Sequence, residues 1–122
     1  MTLKIMVNNN NMTKQYIKQL EDLGYSDEKL IKRIIRQKPK EIKKIVDHTE
    51  DLIKLDTDSP LTHKDIVKIG ARRSGNCNIK GVLDYYQDLK KLKLSKNQII
   101  KIAGNIGGAQ ALAAVKGHFD WL

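Results

Sequence analysis

The chain has 122 residues, 40% hydrophobic and 5% aromatic, which allows one ordinary domain or a few units of a repeat array, with a core of Ile, Leu and Val. Its 23 Lys and Arg against 14 Asp and Glu give a net charge of +9 and a pI near 9.7, a balance that favours a polyanion such as nucleic acid or an anionic membrane. The lone Cys77 excludes an internal disulfide and any multi-cysteine zinc site and fits a reducing compartment, while no apolar run approaches a signal-peptide core or the roughly 20 residues of a spanning helix.

In chain order, the asparagines at 8–11 read as a disordered leader or the approach to a helix cap, and a short leader helix is expected over about 13–23, stopped at Gly24. From Gly24 onward the chain is self-similar. Moving residues 61–89 forward by 33 lays them on 94–122 with seven of 29 positions identical, among them Ile66/Ile99, Lys68/Lys101, Gly75/Gly108 and Val82/Val115. An earlier, weaker copy begins at Tyr25, where Ser26, Leu30 and Ile31 match Thr62, Ile66 and Val67. After a one-residue deletion in its loop, Ile42, Ile45 and Asp47 match Ile79, Val82 and Asp84. The organisation is therefore a leader (1–23) and three copies, 24–60, 61–93 and 94–122, the last truncated, together forming one domain.

Each copy is punctuated as a helix pair. Thr62 with Asp65 and Ser95 with Gln98 have the spacing of capping boxes, and Ser26 stands at the equivalent place in copy one, followed by the acidic Asp27 and Glu28. The second helices carry apolar stripes, Ile79, Val82, Tyr86 and Leu89 in copy two and Leu112, Val115, Phe119 and Leu122 in copy three. One pair cannot bury such a stripe but stacked pairs can, so the expected fold is all-α, an α-solenoid of two-helix repeats of about 33 residues. The stripes are assigned to the core. The residues of "DTDSP" at 56–60 form a longer connection between copies one and two.

Charge follows the repeat frame. Residues 29–44 hold eight basic side chains, including Arg36, Lys38, Lys40 and Lys43, against the single acid Glu41, whereas residues 47–58 hold five acids against Lys54. In a helix pair this places positive charge on the edge with the inter-helix loop. Copy two repeats it with Lys68, Arg72, Arg73 and Lys80, although Lys90, Lys91 and Lys93 weaken the contrast at the far end. The loop edge is thus the expected nucleic-acid face. No catalytic set competes: His48, His63 and His118 fall at unrelated repeat positions without metal-ligand spacing, Cys77 reads as a buried or idle thiol, and "GNIGG" lacks the Lys-Ser/Thr and preceding strand of a phosphate loop. No enzyme, metal or cofactor is expected.

Copy three, "LSKNQIIKIAGNIGGAQAL", resembles the DNA-reading repeat of TAL effectors and their TAL-like relatives from bacterial symbionts, in which a helix pair encloses a two-residue variable site ahead of Gly-Gly. The segments "GYSDEKLIKRII" and "LTHKDIVKIGARRSGN" are similar to the degenerate repeats that lead into such arrays. The resemblance covers about residues 24–122. It implies a right-handed solenoid that binds double-stranded DNA through its loops in the major groove, acting either in the bacterial cytoplasm or, as a delivered effector, in a host nucleus. Asn105 takes the first variable position, which in the family bonds back to the preceding helix. Ile106 takes the second, which meets the base edge, the Asn-Ile pair being associated with adenine. Gly107 and Gly108, like Gly75 in copy two, let the backbone approach a phosphate, and Gln110 matches a phosphate-contacting position, whereas Ala109 stands where many members have Lys.

Arg72 and Arg73 occupy the variable positions of copy two. Arg73 replaces a Trp that in related leader repeats lies near the 5′ thymine, and as a bidentate donor to guanine it would move that preference toward G. Alternatively both arginines grip phosphates. Copy one, with Arg36, Lys38 and Lys40 but no glycine pair, is expected to anchor phosphate only. One or two reading loops discriminate by only about 1 to 3 kcal/mol each, so binding should be mostly electrostatic and salt-dependent. A helical protein-interaction scaffold and an RNA-binding solenoid are the competing functions. The stop at "HFDWL" leaves Phe119, Trp121 and Leu122 without a polar capping repeat, which fits either a fragment of a longer array or a mini-protein that packs this end on a partner or on itself.

Overall fold

The computed structural model describes residues 11–105 and 107–121, without the side chains of Asn11 and residues 119–121. Among the described residues there are seven helices and no strand: α1 (Asn11–Asp22), α2 (Glu28–Ile35), α3 (Pro39–Ile53), α4 (His63–Gly70), α5 (Gly75–Lys91), α6 (Lys96–Ala103) and α7 (Gly108–Trp121). After α1, short helices of eight residues alternate with longer ones of 15, 17 and 14.

The boundaries follow from local chemistry. Gly24 has φ +97°, and the Gly24 and Tyr25 amides donate to the Glu21 and Leu20 carbonyls, so α1 ends in a Schellman motif closed by the buried side chains of Leu20 and Tyr25. The end of α5 repeats this geometry without glycine: Lys93 adopts φ +73°, and the Lys93 and Leu94 amides donate to Lys90 and Leu89. Both expected capping boxes form. Thr62 N donates to Asp65 Oδ2 at 2.9 Å while Asp65 N donates to Thr62 Oγ1, and Ser95 and Gln98 exchange the equivalent bonds. In copy one the cap moves by one residue, from the expected Ser26 to Asp27, whose carboxylate accepts from Lys29 N at 2.9 Å. A carboxylate at the positive end of the helix is the stronger acceptor there.

Two rows of helices build the molecule. The first helices pack in series, α2 on α4 and α4 on α6, while α1, α3, α5 and α7 pack in series beside them. Ile31, Ile34, Ile45, Ile66, Ile69, Ile79, Val82, Leu89 and Ile99 are fully buried between the rows, and each contributes roughly 1.5 to 3 kcal/mol of transfer free energy. The inward face of copy two matches the expected stripe, as do the buried Leu112 and the partly buried Val115 in copy three. Phe119 and Trp121 side chains and all of Leu122 lie outside the described residues. α1 presents Tyr16, Ile17 and Leu20 to the core, joined by Leu23 just beyond its end, and Lys14, Lys18, Glu21 and Asp22 to solvent, so it covers the first copy with a polar outer face.

Polar ties join the copies. Tyr25 Oη lies 2.9 Å from Thr49 Oγ1, which itself donates to Ile45 O, and the Tyr25 ring meets His63 edge-on at 4.4 Å. His63 Nε2 bonds the Leu23 carbonyl at 2.9 Å. The connection after α3 folds around Asp56: its Oδ1 accepts from the Asp58 and Ser59 amides, and its Oδ2 accepts from Tyr86 Oη at 2.7 Å. No described helix is long and apolar enough to cross a membrane.

Candidate functional site

Each first helix has only eight residues, about 12 Å of rise, so stacking these short helices brings the loops after them to one edge. Two glycines hold the turns tight. A Cβ on Gly75 would lie 1.7 Å from Gly70 O, and one on Gly108 would lie 2.0 Å from Ala103 O. At the start of both second helices, therefore, backbone packs on the last carbonyl of the first helix, and only glycine fits. Copy one solves the same corner with Pro39 at the first position of α3, where its missing N–H costs nothing.

Neighbouring loops share clefts. Between copies one and two, Arg36, Lys38 and Lys40 face Arg73 and Ser74 across a cavity of about 530 Å³. Between copies two and three, Lys68 and Arg72 face Lys101, Asn97 and Asn105 across about 370 Å³. A third recess, about 270 Å³, lies between α5 and α7, with Cys77, Lys80 and Tyr85 on one wall and Gln110 and Ala113 on the other. Among the described residues none of the seven cations in the first two clefts forms an ion pair with an acidic side chain.

The expected site residues divide accordingly. Arg36, Lys38, Lys40 and Arg73 come together; Arg72 and Asn105 sit in the next cleft. Lys43 and Lys80 are spent differently: Lys43 Nζ is 3.5 Å from Asp47 and Lys80 Nζ 2.9 Å from Asp84, the same i,i+4 pair at the same repeat position. The hydrogen bond to Asp84 raises the Lys80 pKa, so both ammoniums already have a counter-charge. Asn105 is exposed, and the bond that ties it back is its backbone amide to Ile102 O at 3.3 Å. Gly107 adopts φ +73° in a roomy setting, whereas Gly108 is packed against the Ala103 carbonyl, a steric requirement that exists without any phosphate. Gln110 is exposed, and Ile106 lies outside the described residues. Cys77, expected to be buried or idle, is exposed, because the N-terminal turn of α5 turns it away from the core.

Two polar residues that sequence reasoning passed over as site residues lie at this edge. Asn78, 1% exposed, donates from Nδ2 to Ile69 O at 3.2 Å and accepts at Oδ1 from Ala109 N at 3.3 Å, so it caps α7 from the preceding copy. Glu41, at the equivalent place in copy one, is 2% exposed and lines the first cleft, and its Oε2 has no hydrogen-bond partner. Arg72 likewise has a buried Nε without a partner. At the opposite edge, Asp56 is held below the usual carboxylate range, first by the Tyr86 hydroxyl, then by the Ser59 amide and the charge of Lys90, 3.8 Å away. Burial and that carboxylate together push the Tyr86 hydroxyl up. Asn78 and Glu41 stand directly before Ile79 and Ile42, and a polar residue flanking an apolar stripe at one repeat position was the available signal. Asp56 was signalled by the turn chemistry of Asp-x-Asp-Ser-Pro.

Among the described residues no group of His, Cys, Asp and Glu could hold a metal ion. The chain matches no family model, no curated protein and no solved structure.

Proposed function

We propose that the chain is a right-handed α-solenoid that binds double-stranded DNA along its loop edge. The observation that carries this reading is the convergence of Arg36, Lys38, Lys40 and Arg73, and of Lys68, Arg72 and Lys101, in successive inter-copy clefts without acidic partners. Leaving seven cations unpaired on one edge, while Lys43 and Lys80 a turn away are paired, is what a phosphate-binding face requires. The likeness of copy three to TAL-type repeats supports the major groove as the place of binding, with Ile106 toward adenine and Arg73 toward guanine or a phosphate.

The test is a salt titration on duplex DNA, single-stranded RNA and duplexes varied at two adjacent bases. The reading expects the duplex to win and Ile106→Asp to abolish any adenine preference. Preference for single strands or A-form duplex would assign the edge to RNA. Binding of neither nucleic acid would leave a helical protein scaffold.

A further inference from the structure

Glu41 is the one feature of the basic edge that phosphodiester binding does not use. It sits at the third position of α3, 2% exposed, on the wall of a cavity of about 530 Å³ whose other charged groups are Arg36, Lys38, Lys40 and Arg73. Its Oε2 is buried with no hydrogen-bond partner, and among the described residues no cation pairs with it. A buried acceptor left unmade is costly, and an ionised carboxylate can only accept. The cleft therefore asks two things of one ligand: negative charge for four cations and a hydrogen-bond donor for the carboxylate. A phosphodiester meets the first and not the second, because it carries no proton at neutral pH. Sulfate fails in the same way. Inorganic hydrogen phosphate meets both, since one of its oxygens keeps a proton at neutral pH, whereas a phosphomonoester, with a second pKa of about 6, is mostly without one; inorganic phosphate is also small enough to reach a recessed side chain.

We infer that the cleft between copies one and two is a site for inorganic hydrogen phosphate. Its P–OH donates to Glu41, and its other oxygens accept from Arg36, Lys38, Lys40 and Arg73. The site shares these cations with the DNA reading but does not depend on it. In this cleft Glu41 is a selectivity residue, admitting an anion with a proton to give and disfavouring one without.

Calorimetric titration of the full chain with sodium phosphate and with sodium sulfate, at equal ionic strength and neutral pH, tests this. Phosphate is expected to bind more tightly than sulfate by at least about tenfold, the value of one hydrogen bond to a charged group. Glu41→Gln keeps the shape, removes the buried charge and closes that ratio to within about twofold; Arg73→Gln weakens both anions, and circular dichroism confirms that each variant is folded. Equal affinity for the two anions, a phosphate preference that survives in Glu41→Gln, or no phosphate binding by the folded wild type overturns the inference. A second arm compares duplexes with 5′-phosphate and 5′-hydroxyl ends. A 5′-phosphate is mostly dianionic at neutral pH and has no proton to give, so phosphate selectivity without an end preference is expected, and an end preference that Glu41→Gln removes overturns the donor role assigned to the ligand. Steep, salt-dependent duplex binding without phosphate selectivity refutes this site and leaves the DNA reading standing, and selectivity without duplex binding does the reverse.

Discussion

Removing one cleft cation at a time separates a shaped phosphate face from mere positive charge. Seven cations line the two inter-copy clefts, and if each meets one phosphate, log Kobs should fall with log[salt] at a slope of about −6. That slope costs roughly 10³-fold or more in affinity between 50 and 200 mM salt. Arg73→Gln or Lys101→Gln each deletes an unpaired cation and should flatten the slope by about 0.9. Lys80→Gln deletes the same formal charge, but its ammonium is 2.9 Å from Asp84, so little counter-ion is released there and the slope should hardly change. Fluorescence anisotropy with a labelled duplex across a salt series reads all three. If Lys80→Gln flattens the slope as much as Arg73→Gln, total charge governs binding and the cleft geometry is irrelevant to it.

Three further outcomes follow from the packing and the titrating groups. Asn78→Ala orphans Ile69 O and the Ala109 amide at a buried site and should cost about 2 to 4 kcal/mol in urea denaturation, with faster hydrogen exchange at Ala109; unchanged Ala109 protection would show that the bond is not made in solution. Gly75→Ala, with its Cβ 1.7 Å from Gly70 O, should severely destabilise or unfold the chain, whereas Gly117→Ala, with open space around it, should stabilise α7 by roughly 0.5 to 1 kcal/mol, both read as shifts in melting temperature. The fold holds Asp56 ionised below its ordinary 3.8, so its contribution is complete above that pH and lost as pH falls through the depressed value; Tyr25, pushed up to about 12 mainly by burial, contributes fully below pH 10.0 and loses that contribution as pH rises toward 12. Asp56→Asn should flatten the acid limb of a pH–stability curve, and Tyr25→Phe the alkaline limb.

The helix pairs were readable because their signals are local. Capping boxes, Gly24 and the stripe through Ile79, Val82, Tyr86 and Leu89 each act within a few turns, and each appears as expected. The shift of the cap from Ser26 to Asp27 shows the resolution limit of such signals, since two adjacent capping residues differ only in what the fold does downstream. The clefts were less readable because they form between loops 36 residues apart in sequence, Lys38 facing Ser74 for example, and charge counted along a chain does not say which cations find partners. Lys43 and Lys80 count as basic-edge residues by position, and each also has an exposed ion pair one turn on, with Asp47 and Asp84. Gly75 and Gly108 were recognised as necessary for a different reason, approach to a phosphate, when the nearer constraint is a carbonyl one turn back.

The difference between the two junctions comes down to one repeat position. Asn78 has a donor and an acceptor, and it uses both, gripping Ile69 O within its own copy and the Ala109 amide of the next. Glu41 fills the same place in copy one but has no donor, so it cannot make the first of these bonds. That junction is held instead from elsewhere, by Arg33 Nε reaching the Ala71 carbonyl at 3.4 Å and by Tyr86 Oη donating to Asp56 at 2.7 Å. Glu41 lines that cleft, and its buried Oε2 is left without a partner. Replacing a clamp residue by its acidic near-equivalent thus removes the polar clamp between copies, while both junctions keep a cation-lined cavity, about 530 Å³ at the first and about 370 Å³ at the second. The same substitution made in reverse, Glu41→Asn, should restore donor capacity at copy one and raise stability; a loss of stability in its place would mean that Glu41 already has a partner in solution.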